Sequence, residues 1–94
     1  MHVRVVRFTG VSPERIGEMR GRMQEADGPP VDAPVKGVQV LIDEDQGTAI
    51  VLQFFDSADD MTAGDRAFGA MDPSDTPGAR ASVDRCELAM ERKL

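Results

Sequence analysis

Residues Val35 to Asp56 read VKGVQVLIDEDQGTAIVLQFFD. Two runs of β-branched and aromatic residues, Val38 to Ile42 and Ala49 to Phe55, flank an acidic, glycine-containing segment from Asp43 to Gly47. Apolar runs separated by a few turn residues are the signature of a β-hairpin. Neither run alternates cleanly. In the second, Ile50, Leu52 and Phe54 share one parity and Ala49, Val51 and Phe55 the other, interrupted only by Gln53. In the first, Val38, Val40 and Ile42 stand against Gln39 and Leu41. Strands that are apolar on both parities are covered on both faces. The hairpin therefore predicts a layer of helices on one side and a second cover on the other.

Upstream of the hairpin, Val3 to Thr9 predicts a strand, with His2, Arg4 and Phe8 on one parity and Val3, Val5 and Arg7 on the other. Ser12 is a helix N-cap, with Pro13 at the first helical position and Glu14 in the first turn. The helix is expected to run to about Ala26 on a stripe of Ile16, Met19, Met23 and Ala26. Gly17 and Gly21 weaken it by about 1 kcal/mol each relative to Ala, or allow close approach to the sheet. Asp27-Gly28-Pro29-Pro30 ends it, and Pro29 to Pro34 is a loop.

Downstream, Ser57 caps a second helix, with Asp60 three residues on as a short capping-box analogue. Met61, Gly64, Phe68 and Met71 form its inward stripe, and it closes near Met71. Asp72 to Gly78 has turn chemistry throughout. Ala81 to Arg92 predicts a last strand, in which Cys86 shares a parity with Leu88 and Met90 and is expected as a buried small hydrophobe. The element order is βαββαβ in a single domain, 1–94. That is the ferredoxin-like α+β arrangement: a four-stranded antiparallel sheet with both helices on one face.

Composition narrows the function classes. The chain has 94 residues, 17 acidic and 11 basic, for a formal charge of -6. That sign opposes binding to nucleic-acid backbones and to anionic membranes. A chain this short buries only about 60–65% of its unfolded surface and gains from association. One cysteine permits no internal disulfide and fits a reducing compartment. The segment MHVRVVRF has no long apolar core, and no run approaches the ~20 residues of a membrane span. A soluble, cytoplasmic protein is expected, and the uncovered sheet face predicts a homodimer: two such sheets packed face to face close into a barrel with an internal cavity between the protomers.

The strand-one pattern VRVVRF, the glycine entering strand two (Lys36-Gly37-Val38) and the sequence Phe54-Phe55-Asp56-Ser57-Ala58-Asp59-Asp60-Met61 resemble the dimeric α/β-barrel superfamily. Within it, the chain is most similar to small bacterial proteins around the antibiotic biosynthesis monooxygenase family. The resemblance covers nearly the whole chain. It implies a ferredoxin-like protomer that dimerises into an α/β barrel, and a cofactor-independent oxygenase acting on a quinol-like aromatic. The family's oxygenases hold and deprotonate substrate with Asn, Trp, Tyr or His. This chain has no Asn, Trp or Tyr, and its only His is His2 on strand one. The haem-degrading branch places its His on the second helix, so no catalytic set is carried over.

The residues left to build a ligand pocket are His2, Arg4, Gln53, Phe54, Phe68, Arg85 and Glu87. Parity leaves open which strand face lines the cavity. Arg85 and Glu87 lie two apart on one face, suited to a carboxylate or phenolate ligand or to acid/base work, or simply to a solvated edge strand. His2, near the chain's start, suits a general base or an exposed terminus. Asp43-Glu44-Asp45 lacks the spacing of an EF-hand loop, and no metal or cofactor is expected. Fold and composition thus favour a homodimer that binds a small apolar or aromatic molecule between sheet and helices, with a quinol monooxygenase as the alternative. An RNA-binding module is set aside: the charge is wrong and the strand aromatics lack the ribonucleoprotein pattern.

Overall fold

The stretch from 35 to 56 folds as the hairpin its sequence implies. Gly37–Asp43 (β2) pairs antiparallel with Thr48–Phe55 (β3), Asp43 opposite Thr48. Gly47 closes the turn at φ +65°, a conformation that costs other residues about 1–2 kcal/mol, and Asp43 accepts from the backbone N–H of Gln46. The computed structural model describes residues 1–25 and 32–94. Around the hairpin it places His2–Thr9 (β1), Pro13–Glu25 (α1), Ala58–Gly69 (α2), a single 3-10 turn at Pro73–Asp75, and Ala79–Glu87 (β4). The strand order is β2-β3-β1-β4, every neighbour antiparallel. This is an α+β, ferredoxin-like sheet with two helices.

Register turns the strands' parities into rows. On the helix-bearing face one row reads Ile42, Ala49, Phe8, Arg80, and the next Val40, Val51, Val6, Val83. A third reads Val38, Gln53, Arg4, Arg85, and a fourth contains Phe55, His2 and Glu87. Val6, Phe8, Ala49 and Val51 form one buried cluster. Phe55, Met61 and Phe68 form another, below α2. The polar third row runs between them.

The opposite face carries Val3, Val5, Ile50, Leu52 and Phe54 on the two central strands, all half-buried, with Leu41 51% exposed beside them. No helix covers this face among the described residues. It is the uncovered apolar face that the hairpin's unbroken hydrophobicity signals.

Helix ends follow their caps. Ser57 Oγ accepts from Asp60 N–H at 3.1 Å and starts α2; Ser12 Oγ accepts from Arg15 N–H at 3.2 Å and starts α1. Ala26 and the expected stop at Asp27 to Pro30 lie outside the described residues, as does the loop up to 31.

Several expectations need correction. α2 ends at Gly69, two residues before Met71, where the Ala70 and Met71 N–H groups turn back to the Ala67 and Phe68 carbonyls at 3.3 and 3.2 Å. β4 starts at Ala79, where Thr9 offers a partner, and stops at Glu87 rather than Arg92. Beyond Glu87 the alternation persists but β1 has run out, and only the Leu88 N–H reaches back, to the Met1 carbonyl. Cys86 is exposed, not buried: it faces the uncovered side of an edge strand, opposite Val3. Gly17 and Gly21 make no close approach to the sheet; a Cβ at either would meet nothing within 4 Å.

Gly64 is the glycine whose lack of a side chain the fold uses. A Cβ there would run into the ring of Phe55, which is fully buried and has no space to yield. Gly64→Ala is expected to destabilise the protein by about 1–3 kcal/mol through overpacking. Gly17→Ala should instead stabilise by a few tenths to about 1 kcal/mol. Urea denaturation of the two variants checks both signs.

Candidate functional site

The helical layer is not uniform. α2 packs down on the sheet with Met61, Gly64 and Phe68 buried, whereas α1 buries none of its residues. Ile16 and Met19 are half-buried and Met23 is 51% exposed. α1 is held instead by polar contacts to the loop before β4. The Arg15 guanidinium donates to the Pro73 carbonyl at 3.0 Å and to the Thr76 carbonyl, and Arg22 Nη1 lies 3.3 Å from Asp75 Oδ1. That loop is itself fixed. Asp72 accepts from the Ser74 N–H at 2.9 Å and its hydroxyl at 2.8 Å, which holds the Asp72 carboxyl below its ordinary pKa. The helix is thus propped over the sheet, and a cavity of about 950 Å³ lies beneath it.

The cavity belongs to a single chain. Its floor is Val6, Phe8, Val38, Val40 and Val51; α1 supplies Met19 and Met23, and α2 and its exit supply Phe68 and Met71. A separate gap of about 100 Å³ between α1 and β2 is bounded by Ile16, Val40 and Ile42. The larger volume suits a drug-sized molecule.

One charged group is built into the floor. Arg4 is 2% exposed. Burying a guanidinium is costly unless its N–H groups are paired. Its Nε donates to Asp65 Oδ1 at 2.7 Å, Nη1 donates to Gln53 Oε1 at 2.9 Å, and the Phe68 ring centre lies 5.9 Å from Cζ. Asp65 Oδ2 also lies 3.7 Å from Arg85 Nη1, so one carboxylate serves two guanidiniums.

The residues expected at a pocket divide accordingly. Arg4, Gln53 and Phe68 come together on the cavity wall. Arg85 meets their network through Asp65 but is itself exposed on β4. His2 and Glu87 face each other one row further along the same side, outside the cavity. Phe54 lies on the uncovered face, since it has the opposite parity to Gln53 and Phe55, and its ring sits beside Gly37 of β2. Cys86 and the Asp43–Asp45 turn are remote from the cavity. Among the described residues no group of three His, Cys, Asp or Glu side chains is placed to hold a metal ion, and no helix is long and apolar enough to cross a membrane.

Asp65 is the residue that sequence reasoning missed. Its signal is its position: a carboxylate between Gly64 and Phe68 of the inward stripe, opposite an arginine on the apolar parity of β1.

Replacing Arg4 by Met would strip Asp65 and Gln53 of their partner and is expected to cost about 2 kcal/mol of stability. Arg22→Met, which breaks an exposed pair, should cost less than about 1 kcal/mol. Chemical denaturation of the two variants compares them directly.

Set against family models, curated proteins and solved structures, the chain matches none of them, so its ferredoxin-like topology rests on element order and strand pairing alone.

Proposed function

We propose that the protein binds a small apolar or aromatic molecule in the cavity between its sheet and helices, as a homodimer joined through the open sheet face. The cavity of about 950 Å³ carries the first part: it is floored by valines and Phe8 and roofed by methionines, which adapt to irregular ligands. The second part is supported by the half-buried apolar band of Val3, Val5, Ile50, Leu52 and Phe54 on the central strands, which a second copy of the same sheet would cover. Such a pairing is what the resemblance to dimeric α/β-barrel proteins implies. Turnover of a quinol-like substrate would need a proton acceptor inside the cavity. The only carboxylate among the described lining residues is Asp75, exposed and paired with Arg22, which favours binding over catalysis.

Binding is tested with N-phenylnaphthylamine, a neutral aromatic whose fluorescence rises in apolar surroundings. Saturable binding is expected, weakened at least tenfold by Val40→Trp, which fills the cavity from β2. Unsaturable or unchanged binding would place the probe on the open face and sink the cavity reading. Oxygen uptake with a quinol, if observed, would reinstate the enzyme.

Assembly is tested by light scattering near micromolar concentration. A mass near twice 10.2 kDa is expected, falling to one copy in Leu52→Asp, which puts a charge in the middle of the open face. A wild-type monomer would remove the dimer.

A further inference from the structure

The geometry points to a ligand that is not merely apolar but an amphipathic anion: a single carboxylate on an apolar, aromatic body, with Arg4 as its contact. This deepens the cavity reading above and rests on it. Arg4 is a buried cation among the valines and Phe8 of the cavity floor. Its Nε and Nη1 are committed to Asp65 and Gln53, which lock the guanidinium plane. The hydrogen bonds that Arg4 makes to described residues use Nε and Nη1; no buried side-chain nitrogen among those residues lacks a partner, so its Nη2 is open to the cavity that the side chain borders. A guanidinium already ordered and desolvated loses little on meeting an anion, so a contact there is stronger than the same contact on a surface.

The charge balance agrees. Asp65 compensates one guanidinium yet faces two, Arg4 at 2.7 Å and Arg85 at 3.7 Å. Among the described residues, Arg22, Lys36 and Arg80 also line the cavity, and Asp75 is the one carboxylate there. Arg22 is paired with Asp75, and Lys36 lies 3.6 Å from Asp56. Arg80 forms no ion pair among the described residues; it stands opposite Phe8, four residues from Arg4 along β1, or about 13 Å at the rise of a strand. Among the described residues, Arg80 and the shared Arg85 therefore leave an excess of positive charge at the cavity, within a chain of net charge -6, and this local reversal draws anionic solutes toward it. The Arg4–Asp65 pair also orients α2, but a neutral apolar ligand would leave the open Nη2 of Arg4 unmatched, and a cationic one would be repelled.

The test compares anthracene carboxylate with anthracene carboxamide, which share body and size but not charge, by fluorescence titration. The carboxylate is expected to bind at least tenfold more tightly. In the double variant Arg4→Gln with Asp65→Asn, which removes both charges so that neither is stranded, the ratio should fall to about one. A wild-type ratio near one, with N-phenylnaphthylamine still bound, overturns the inference and leaves the cavity reading standing. A tenfold ratio that survives in a folded double variant overturns the assignment to Arg4. Failure of all three probes to bind removes the cavity reading and the inference together. Were the double variant to misfold, the wild-type ratio alone would still decide whether the site prefers an anion.

Discussion

A buried guanidinium between two apolar clusters sets the terms for the rest of this structure. Arg4 lies at the centre of the sheet, with Val6 and Phe8 on one side and Phe55 on the other. Left alone there it would be intolerable; its ordinary neighbours on the strand offer no anion. Asp65 must therefore arrive from α2, and α2 must present one particular side of its surface. Turning the helix by a single residue would swing Asp65 about 100° away. Packing fixes the same orientation, since Gly64, the residue before Asp65, lies against the Phe55 ring. An ion pair and a close apolar contact thus specify one placement, and neighbouring residues supply both.

The other half of the helical layer obeys a different rule. α1 contributes no buried residue and is anchored by arginines to backbone carbonyls and one aspartate. Polar anchors hold position without demanding that the space beneath be filled. Methionines, long and flexible, line that space from above. Close packing under α2 and room under α1 are two outcomes of one sheet face: Gly64 of α2 lies against the Phe55 ring, whereas Gly17 and Gly21 of α1 face open space.

The strands, their order and the cap of each helix were legible in local patterns. Alternating parities placed Arg4 with Phe8 before any coordinates, and Ser57 with Asp60 located the start of α2. Less local features were not. The pairing of Arg4 with Asp65 joins residues 61 apart and depends on how a helix lies on a sheet, which no spacing encodes. The end of β4 could not be read from β4, because a strand stops where its partner stops. Cys86 misled for a related reason: alternation says that two faces differ, and burial depends on what lies over each. A ligand site between sheet and helices was expected from the fold, but the methionines of α1 that line it read first as core filling.

β4 has a peculiarity with evolutionary weight. Every one of its nine residues is exposed, yet it pairs along its length with β1. Its attachment is almost wholly through main-chain amides and carbonyls, which are the same for nearly all side chains. Natural variation should accordingly be freest here, as long as residues keep an extended backbone. Proline is the exception wherever an N–H points at β1. Charges at Arg80, Asp84, Arg85 and Glu87 also discourage another chain from adding itself to this border. A strand that contributes little to the core is thus well placed to absorb mutation and to keep the sheet from growing.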